Sequence, residues 1–554
     1  MPFSQLQTVA LALGSCALHF IIRSYIRHKS LPPGPRGLPF IGNIFDVPKS
    51  QEWLAFVEMS RKYGSSESRD TIIVLNSLAA VDALLEDSVG FHWHLAFMRY
   101  GPRWKGKYRL IPSRRCLIIG TEHRKVFMQQ FQPSQVLLHR PAELRAARFL
   151  LQQLLDSPAK YERHLRHMAG MIILSTVYGI DIQPEDDPYI DISERALHAM
   201  ACTGNRGSFL VDSLPLSGTP FSGGKLNLPF FSLKYIPEFL PGVGFKRKAR
   251  EWYKVVDAMP NVPYNFVKES RAAGTAKSSI ASRVLDDMEN SVNDHEEQEL
   301  VLRNVLTGES HPIPPLPSFQ DTILPISAGA DTTVSALGTF FLAMTMYPDV
   351  QKKAQAAVDE VVGHGRLPDF QDDIPYIDAV VREVLRWRAV LPLSVPHAVT
   401  EDDIYKGYHI PAGAVVVGNT WAILNDETIY GQNTDEFIPE RWLTKEGIIN
   451  TAMRDSSAAF GFGRRICPYC EQGRDMAQWS MWITAASILA TFTISKSVDE
   501  KGIPIEPSGE FTSGLLWYVV SHLWAVTDSS SPSRTAIPFP INVISCPDLK
   551  LREL

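Results

Sequence analysis

Residues 460–475 read FGFGRRICPYCEQGRD, and two chemistries compete for them. Cys467-Pro468-Tyr469-Cys470 has the spacing of a dithiol redox motif. The glycines and arginines ahead of it suit a loop that wraps a single metal-bound thiolate. A dithiol site needs a compact βαβ module, with its first cysteine at a helix N-terminus directly after a strand. The preceding AAFGFGRRI is a glycine-rich loop instead. A zinc site needs two more ligands at suitable spacing, and the sequence offers no second cysteine pair.

The rest of the chain has to support whichever chemistry holds. Its 554 residues are 45% hydrophobic and 21% charged, enough for a large core. A formal net charge of -5 gives no sign of a nucleic-acid partner. Six cysteines are too sparse for a disulfide framework and point to a reducing compartment. Near the start, VALALGSCALHFIIRSYI is mostly apolar and is followed by Arg27 and Lys29, with no lysine or arginine before it. A bilayer takes about 20 apolar residues, so residues 1–30 are expected to be a membrane anchor with a cytosolic body behind it. Residues 31–43, LPPGPRGLPFIGN, carry four prolines and read as a stiff hinge.

The body is expected to be mainly helical. SALGTFFLAMTMYPDVQKKAQAAVDEVVG has helical periodicity, with Pro348 dividing two helices. IDAVVREVLRWRAV, Ile377 to Val390, places Val380, Val381, Val384 and Leu385 on one side of another helix. VPHAVTEDDIYKGYHIPAGAVVVGNTWAIL reads as short strands broken by Gly, Pro and Asp. MAQWSMWITAASILATFTI is apolar nearly all round and predicts a deeply buried helix.

Glu383 and Arg386 are three apart on the second of these helices, so their side chains meet. In isolation the pattern describes an exposed ion pair of little consequence. It is followed, however, by FIPERW at Phe437 to Trp442 and then by the opening loop. In that order the motifs resemble the cytochrome P450 haem-thiolate monooxygenases, with the nearest likeness to fungal members of the O-methylsterigmatocystin oxidoreductase type. Phe460, Gly463, Arg465 and Cys467 match the family's Phe-x-x-Gly-x-Arg-x-Cys signature, and Glu383, Arg386 and Arg441 its charged brace around the haem core.

The resemblance implies a mainly α fold with small β-sheets, residues 44–554 forming one haem domain behind a transmembrane helix. It makes Cys467 the axial thiolate of a haem b iron, where sulfur pushes electron density toward the metal and favours O–O cleavage. Arg465 would neutralise one haem propionate, and His397, in VPHAV, would contact the second. In AGADTT, Ala328 and Gly329 would lie against the haem, with Gly329 leaving room for dioxygen over the iron. Thr332 would hydrogen-bond the iron-bound oxygen species, and Asp331 would help relay protons to it. Implied partners are an NADPH-dependent cytochrome P450 reductase, the lipid bilayer of the endoplasmic reticulum and a small apolar substrate, in fungal secondary or xenobiotic metabolism.

The chain also departs from the family pattern. Skipping Tyr469 to Gln472 restores the expected CPGRDMA, so the apparent dithiol reads as an insertion. Skipping Gly106 to Thr121 brings Arg124 four places after Trp104 and restores a Trp-x-x-x-Arg propionate site. Stretches near 308–327, with five prolines, and 517–534 interrupt the pattern in the same way. The starts Gly106-Lys107-Tyr108, Gly308-Glu309-Ser310 and Trp517-Tyr518-Val519 can be back-translated to splice-donor-like sequence, which suggests unspliced intron; uninterrupted transcript reads through these stretches would refute that. Residues Tyr63 to His94 look short against the family. Two alternatives follow: a relative unable to bind haem because of the insertions, and a thiol–disulfide oxidoreductase using Cys467 and Cys470.

Overall fold

The computed structural model describes residues 50–63, 72–86, 133–204, 245–289, 325–399, 401–462 apart from 413, 473–497 and 541–545, with scattered positions in 31–48 and 499–511. The anchor at 1–30, Trp104, Arg124, Gly463, Arg465, Cys467 and Cys470 lie outside the described residues. So do the stretches 106–121, 469–472 and 517–534, and most of 308–327. Among the described helices, none is long and apolar enough to cross a membrane.

Helices dominate, as expected. They are α1 (Glu52–Tyr63), α2 (Arg140–Asp156), α3 (Tyr161–Tyr178), α4 (Pro188–Gly204), α5 (Phe245–Ala272), α6 (Ile280–Glu289), α7 (Pro325–Met346), α8 (Pro348–Val362), α9 (Pro375–Trp387), α10 (Thr420–Leu424), α11 (Glu427–Tyr430) and α12 (Gly473–Thr491), with single turns between them. The apolar α7 packs against α3, α9 and α12, and α12 packs against α2 and α8. Leu337, Phe340 and Phe341 of α7 meet Leu165 and Met168 of α3, Val384 of α9 and Ile483 of α12 in one buried cluster. Full burial of each such side chain is worth about 1.5–3 kcal/mol, so this cluster holds α7 in place.

Three small sheets complete the fold. β1 (Ile72–Leu75) pairs parallel to β5 (Val415–Gly418), and β2 (His397–Ala398) pairs antiparallel on the other side of β5, with His397 opposite Val416. β3 (Asp403–Tyr405) and β4 (Tyr408–Ile410) form a hairpin. Its two turn residues, Lys406 and Gly407, have φ of 50° and 82°, the handedness that matches the twist of the flanking strands. β6 (Phe492–Lys496) pairs with β7 (Ile541–Ser545). A second buried cluster joins Ile73, Leu75 and Val416 of the first sheet to Trp442, Ala458 and Phe462.

Four boundaries differ from the sequence reading. α9 stops at Trp387 rather than running to Val390, with Arg388 already extended at φ -138° and ψ 91°. TWAIL is helix α10, not strand: Asn419 Oδ1 accepts the Ala422 N–H at 3.2 Å and caps it. The tail FTI leaves α12 to become strand β6, where its aromatic and β-branched side chains fit a pleated surface. Finally, α7 begins at Pro325, so residues 325–327 of the suspected insertion are helical. A proline in the first turn breaks nothing, since that N–H has no helical partner anyway.

Candidate functional site

α9 presents a carboxylate and a guanidinium one turn apart, and both side chains have 0% exposure. Glu383 and Arg386 form a bidentate pair at 2.8 and 2.9 Å. The short turn Pro439–Trp442 lies across them and brings Arg441 Nε to 3.1 Å from Glu383 Oε1. Trp442 Nε1 donates to Oε2 at 2.9 Å, and the Ile438 N–H donates to Oε1 at 2.9 Å. Two carboxylate oxygens thus accept five hydrogen bonds.

The arginines spend their remaining donors on backbone carbonyls. Arg386 reaches Leu424, Thr434 and Glu436 at 2.9–3.1 Å. Arg441 reaches Tyr430 at 2.6 Å and Asn433 at 3.0 Å. The chain segment 425–442, which carries only the one-turn α11 and the 3-10 turn Pro439–Trp442, is thereby fastened to α9 by charge-assisted bonds, the stronger kind. The bland reading of Glu383 and Arg386 as an exposed pair is excluded by their burial.

On α7, Asp331 is 9% exposed. Its Oδ1 lies 3.7 Å from Arg166 Nη1 on α3. Glu194 of α4 is close enough to feel both charges: burial first of all raises its carboxyl above the ordinary range, Arg166 opposes that, and Asp331 adds to it. Thr332 follows Asp331 on the same helix and is half-buried; Ala328 and Gly329 lie in its first two turns. His397 of β2 is buried, at 5% exposure.

The chain approaches the opening loop through a 3-10 turn, Ser456–Phe460, that ends at Gly461 with φ 97° and ψ -163°. Phe462, the last described residue before Cys467, is 3% exposed in the second cluster. Among the described residues, the nearest element before Cys467 is this 3-10 turn rather than the strand a dithiol module places there. Nor do those residues contain a group of three or more His, Cys, Asp or Glu able to hold a metal ion.

The sequence likeness to known proteins is extensive. The family model of cytochrome P450 matches residues 252–516. Tryptamine 4-monooxygenase of Psilocybe cyanescens is 36% identical, over 91% of this chain and 94% of its own length. Cytochrome P450 monooxygenase 98 of Postia placenta is 37% identical, over 87% of each chain.

The chain belongs to the cytochrome P450 family. A third relative, cytochrome P450 monooxygenase claR of Ampulloclitocybe clavipes, is 35% identical over 95% of the chain and 91% of its own length. The enzyme is accordingly a monooxygenase, and the family implies haem with a thiolate-ligated iron. The finer likeness to the O-methylsterigmatocystin oxidoreductase type finds no support in these names.

The described walls of this P450 fit such a group. α12, which begins at Gly473 after the loop, packs on α7, the helix bearing Asp331 and Thr332. α7 is apolar apart from that single acid and its hydroxyls, and a flat, largely apolar ring needs such a wall. Of the expected residues, the structure brings Glu383, Arg386 and Arg441 together, with Asp331 and Thr332 side by side on α7. Sequence reading missed Trp442 as a brace partner, although it stands next to Arg441. It also missed Arg166, which is 165 positions from Asp331 and carries no local signal.

Proposed function

We propose that this P450 inserts one atom of dioxygen into an apolar organic substrate and releases the other as water. The two electrons would come from NADPH through a reductase, and two protons from solvent. The residue roles carried over from the family are part of this proposal: Cys467 as axial ligand, and Arg465, His397 and the Trp104–Arg124 pair at the propionates. So are residues 1–30 as an anchor in the endoplasmic reticulum and a place in fungal secondary metabolism. The observation that carries the reading is the buried acid beside a threonine on the apolar α7.

When bound, the haem supplies the redox chemistry that activates dioxygen. The protein's part is to shape and to protonate. α7 excludes water with Leu337, Phe340 and Phe341 packed behind it. The Thr332 hydroxyl can donate one hydrogen bond and accept another, the property needed to pass a proton inward from Asp331. The brace among Glu383, Arg386 and Arg441 holds segment 425–442 and hence the approach to the thiolate loop.

An amine substrate such as the one named for the Psilocybe relative would want a carboxylate to pair with. Asp331 is already engaged by Arg166, and this favours a neutral, apolar substrate. The test is a reduced, carbon-monoxide-bound absorption spectrum of the full chain and of Cys467→Ser. The wild type is expected to show the long-wavelength band diagnostic of thiolate ligation, and the variant to lose it. A wild type that takes up no haem would refute the proposal and establish the impaired relative. Cys470→Ala should leave the spectrum unchanged.

A further inference from the structure

Strand β5 ends at Gly418, beside Leu75 of β1. A Cβ placed on Gly418 would lie 2.6 Å from Cε2 and 2.9 Å from Cδ2 of Phe462, and 3.3 Å from Ser394 Oγ. Carbon atoms at van der Waals contact stand about 3.5–4.0 Å apart. The Phe462 ring therefore rests directly on the backbone of the strand, in a notch that only glycine can form. Glycine is needed here for space rather than for its backbone angles.

The surroundings of the notch are rigid. The next residue, Asn419, is 0% exposed and ties three elements together: Nδ2 donates to Trp53 O at 2.9 Å and to Asn76 Oδ1 at 2.7 Å, while Oδ1 caps α10. On another side stands Ser394, a buried non-glycine residue at φ 47° whose hydroxyl finds no hydrogen-bond partner among the described residues. A strained residue with an unsatisfied hydroxyl persists only where the packing around it over-determines its position. The chain reaches this notch through Gly461, whose φ of 97° and ψ of -163° belong to a region essentially closed to other residues.

We infer that Phe462, seated on Gly418, is a positioning residue for the thiolate: it is the fixed upstream anchor from which the loop to Cys467 is strung. The inference rests on Cys467 being the iron ligand. The ligand lies five positions after the anchor, a span of at most roughly 17 Å even when extended. A displaced anchor therefore passes its error on to the sulfur. Upstream, the same segment is held by Asp455, which accepts from Arg382 at 3.1 Å and lies 3.4 Å from Arg474 at the start of α12. Both ends of the loop are thus tied to the braced region, and Phe462 is the apolar tie.

The test is the ratio of the thiolate band to the shorter-wavelength band of thiolate-free haem, read in the reduced carbon monoxide complex. Gly418→Ala forces the ring out and is expected to shift that ratio about tenfold toward the thiolate-free form, the usual size of an overpacking strain. Gly418→Ala combined with Phe462→Leu, which removes the ring the methyl collides with, should be no worse than Phe462→Leu alone. Ile410→Ala, which empties a buried site of the same cluster on the β3–β4 hairpin, controls for lost stability and should keep the wild-type ratio. The inference is overturned if Gly418→Ala keeps that ratio, if Ile410→Ala shifts it equally, or if the two notch substitutions simply add. A wild type without the thiolate band overturns both this inference and the haem assignment beneath it, which separates that failure from the others.

Discussion

Replacing Glu383 by alanine takes away the one anion among two buried guanidinium groups. Arg386 has 0% side-chain exposure and Arg441 6%, so neither can turn to water for compensation. Five donors lose their acceptor at once, two of them from Arg386 and one each from Arg441, Trp442 and the Ile438 backbone. Removing one partner of a single buried ion pair costs about 3–5 kcal/mol. Domains are stable by only about 5–15 kcal/mol. Glu383→Ala should therefore lower the folded-to-unfolded ratio by roughly 10² to 10⁴, since each 1.4 kcal/mol is a factor of ten.

Glu383→Gln keeps the shape and one acceptor oxygen, but its amide N–H₂ faces groups that themselves donate, so it should fall between alanine and wild type. The double replacement Glu383→Leu with Arg386→Met is the sharper probe. Elsewhere, exchanging a whole buried ion cluster for apolar side chains can be neutral or stabilising. Here the carbonyls of Leu424, Thr434 and Glu436 depend on Arg386, and each would be left without that donor at about 1–3 kcal/mol. Recovery in the double variant should stay incomplete. Urea denaturation followed by far-ultraviolet circular dichroism measures all three. An alanine variant within about 1 kcal/mol of wild type, or a double variant that equals it, would refute the view that segment 425–442 hangs on this brace.

Glu143, buried at 1% between α2 and α12, has its carboxyl pushed up to about 8 by burial, against a hydrogen bond from Ser480 at 2.8 Å and the charge of Arg140. A carboxyl raised in the folded state contributes stability that is full below its unfolded value near 4.5 and lost as pH climbs through about 8. Glu143→Gln should accordingly gain on the wild type between those limits, by several kcal/mol at the very most; thermal midpoints at pH 5 and pH 8 that moved in parallel would contradict this. Gln351, 2% exposed on α8, donates to Met344 O and Ile494 O and accepts the Ile494 N–H. Gln351→Leu strands those groups and should cost about 1–3 kcal/mol, with β6 becoming the first site of proteolysis. Asp331→Asn keeps its shape but cannot relay a proton, so turnover should fall about 100-fold while the carbon monoxide spectrum holds.

What could be read from the chain, and what could not, divides along a physical line. Glu383 and Arg386 are three apart on a helix, and PERW follows within sixty residues; spacing alone describes an exposed ion pair, and the brace could be anticipated only because the order of these motifs resembles the P450 family. Its acceptors could not: Leu424, Tyr430, Asn433, Thr434 and Glu436 contribute carbonyl oxygens, and a carbonyl is the same on every residue. The reading of TWAIL as a strand failed for a related reason. Its composition favours a pleated surface, but Asn419 on its N-terminal side offers a cap, and one satisfied N–H at the start decides a five-residue helix more firmly than side-chain preference does. Gly418 marks the limit most clearly. In sequence it is a small residue ending VVVG, indistinguishable from a turn glycine. Its reason lies forty-four positions later in a ring pressed against it, and contact across that distance is written in the packing of other residues rather than in any local pattern.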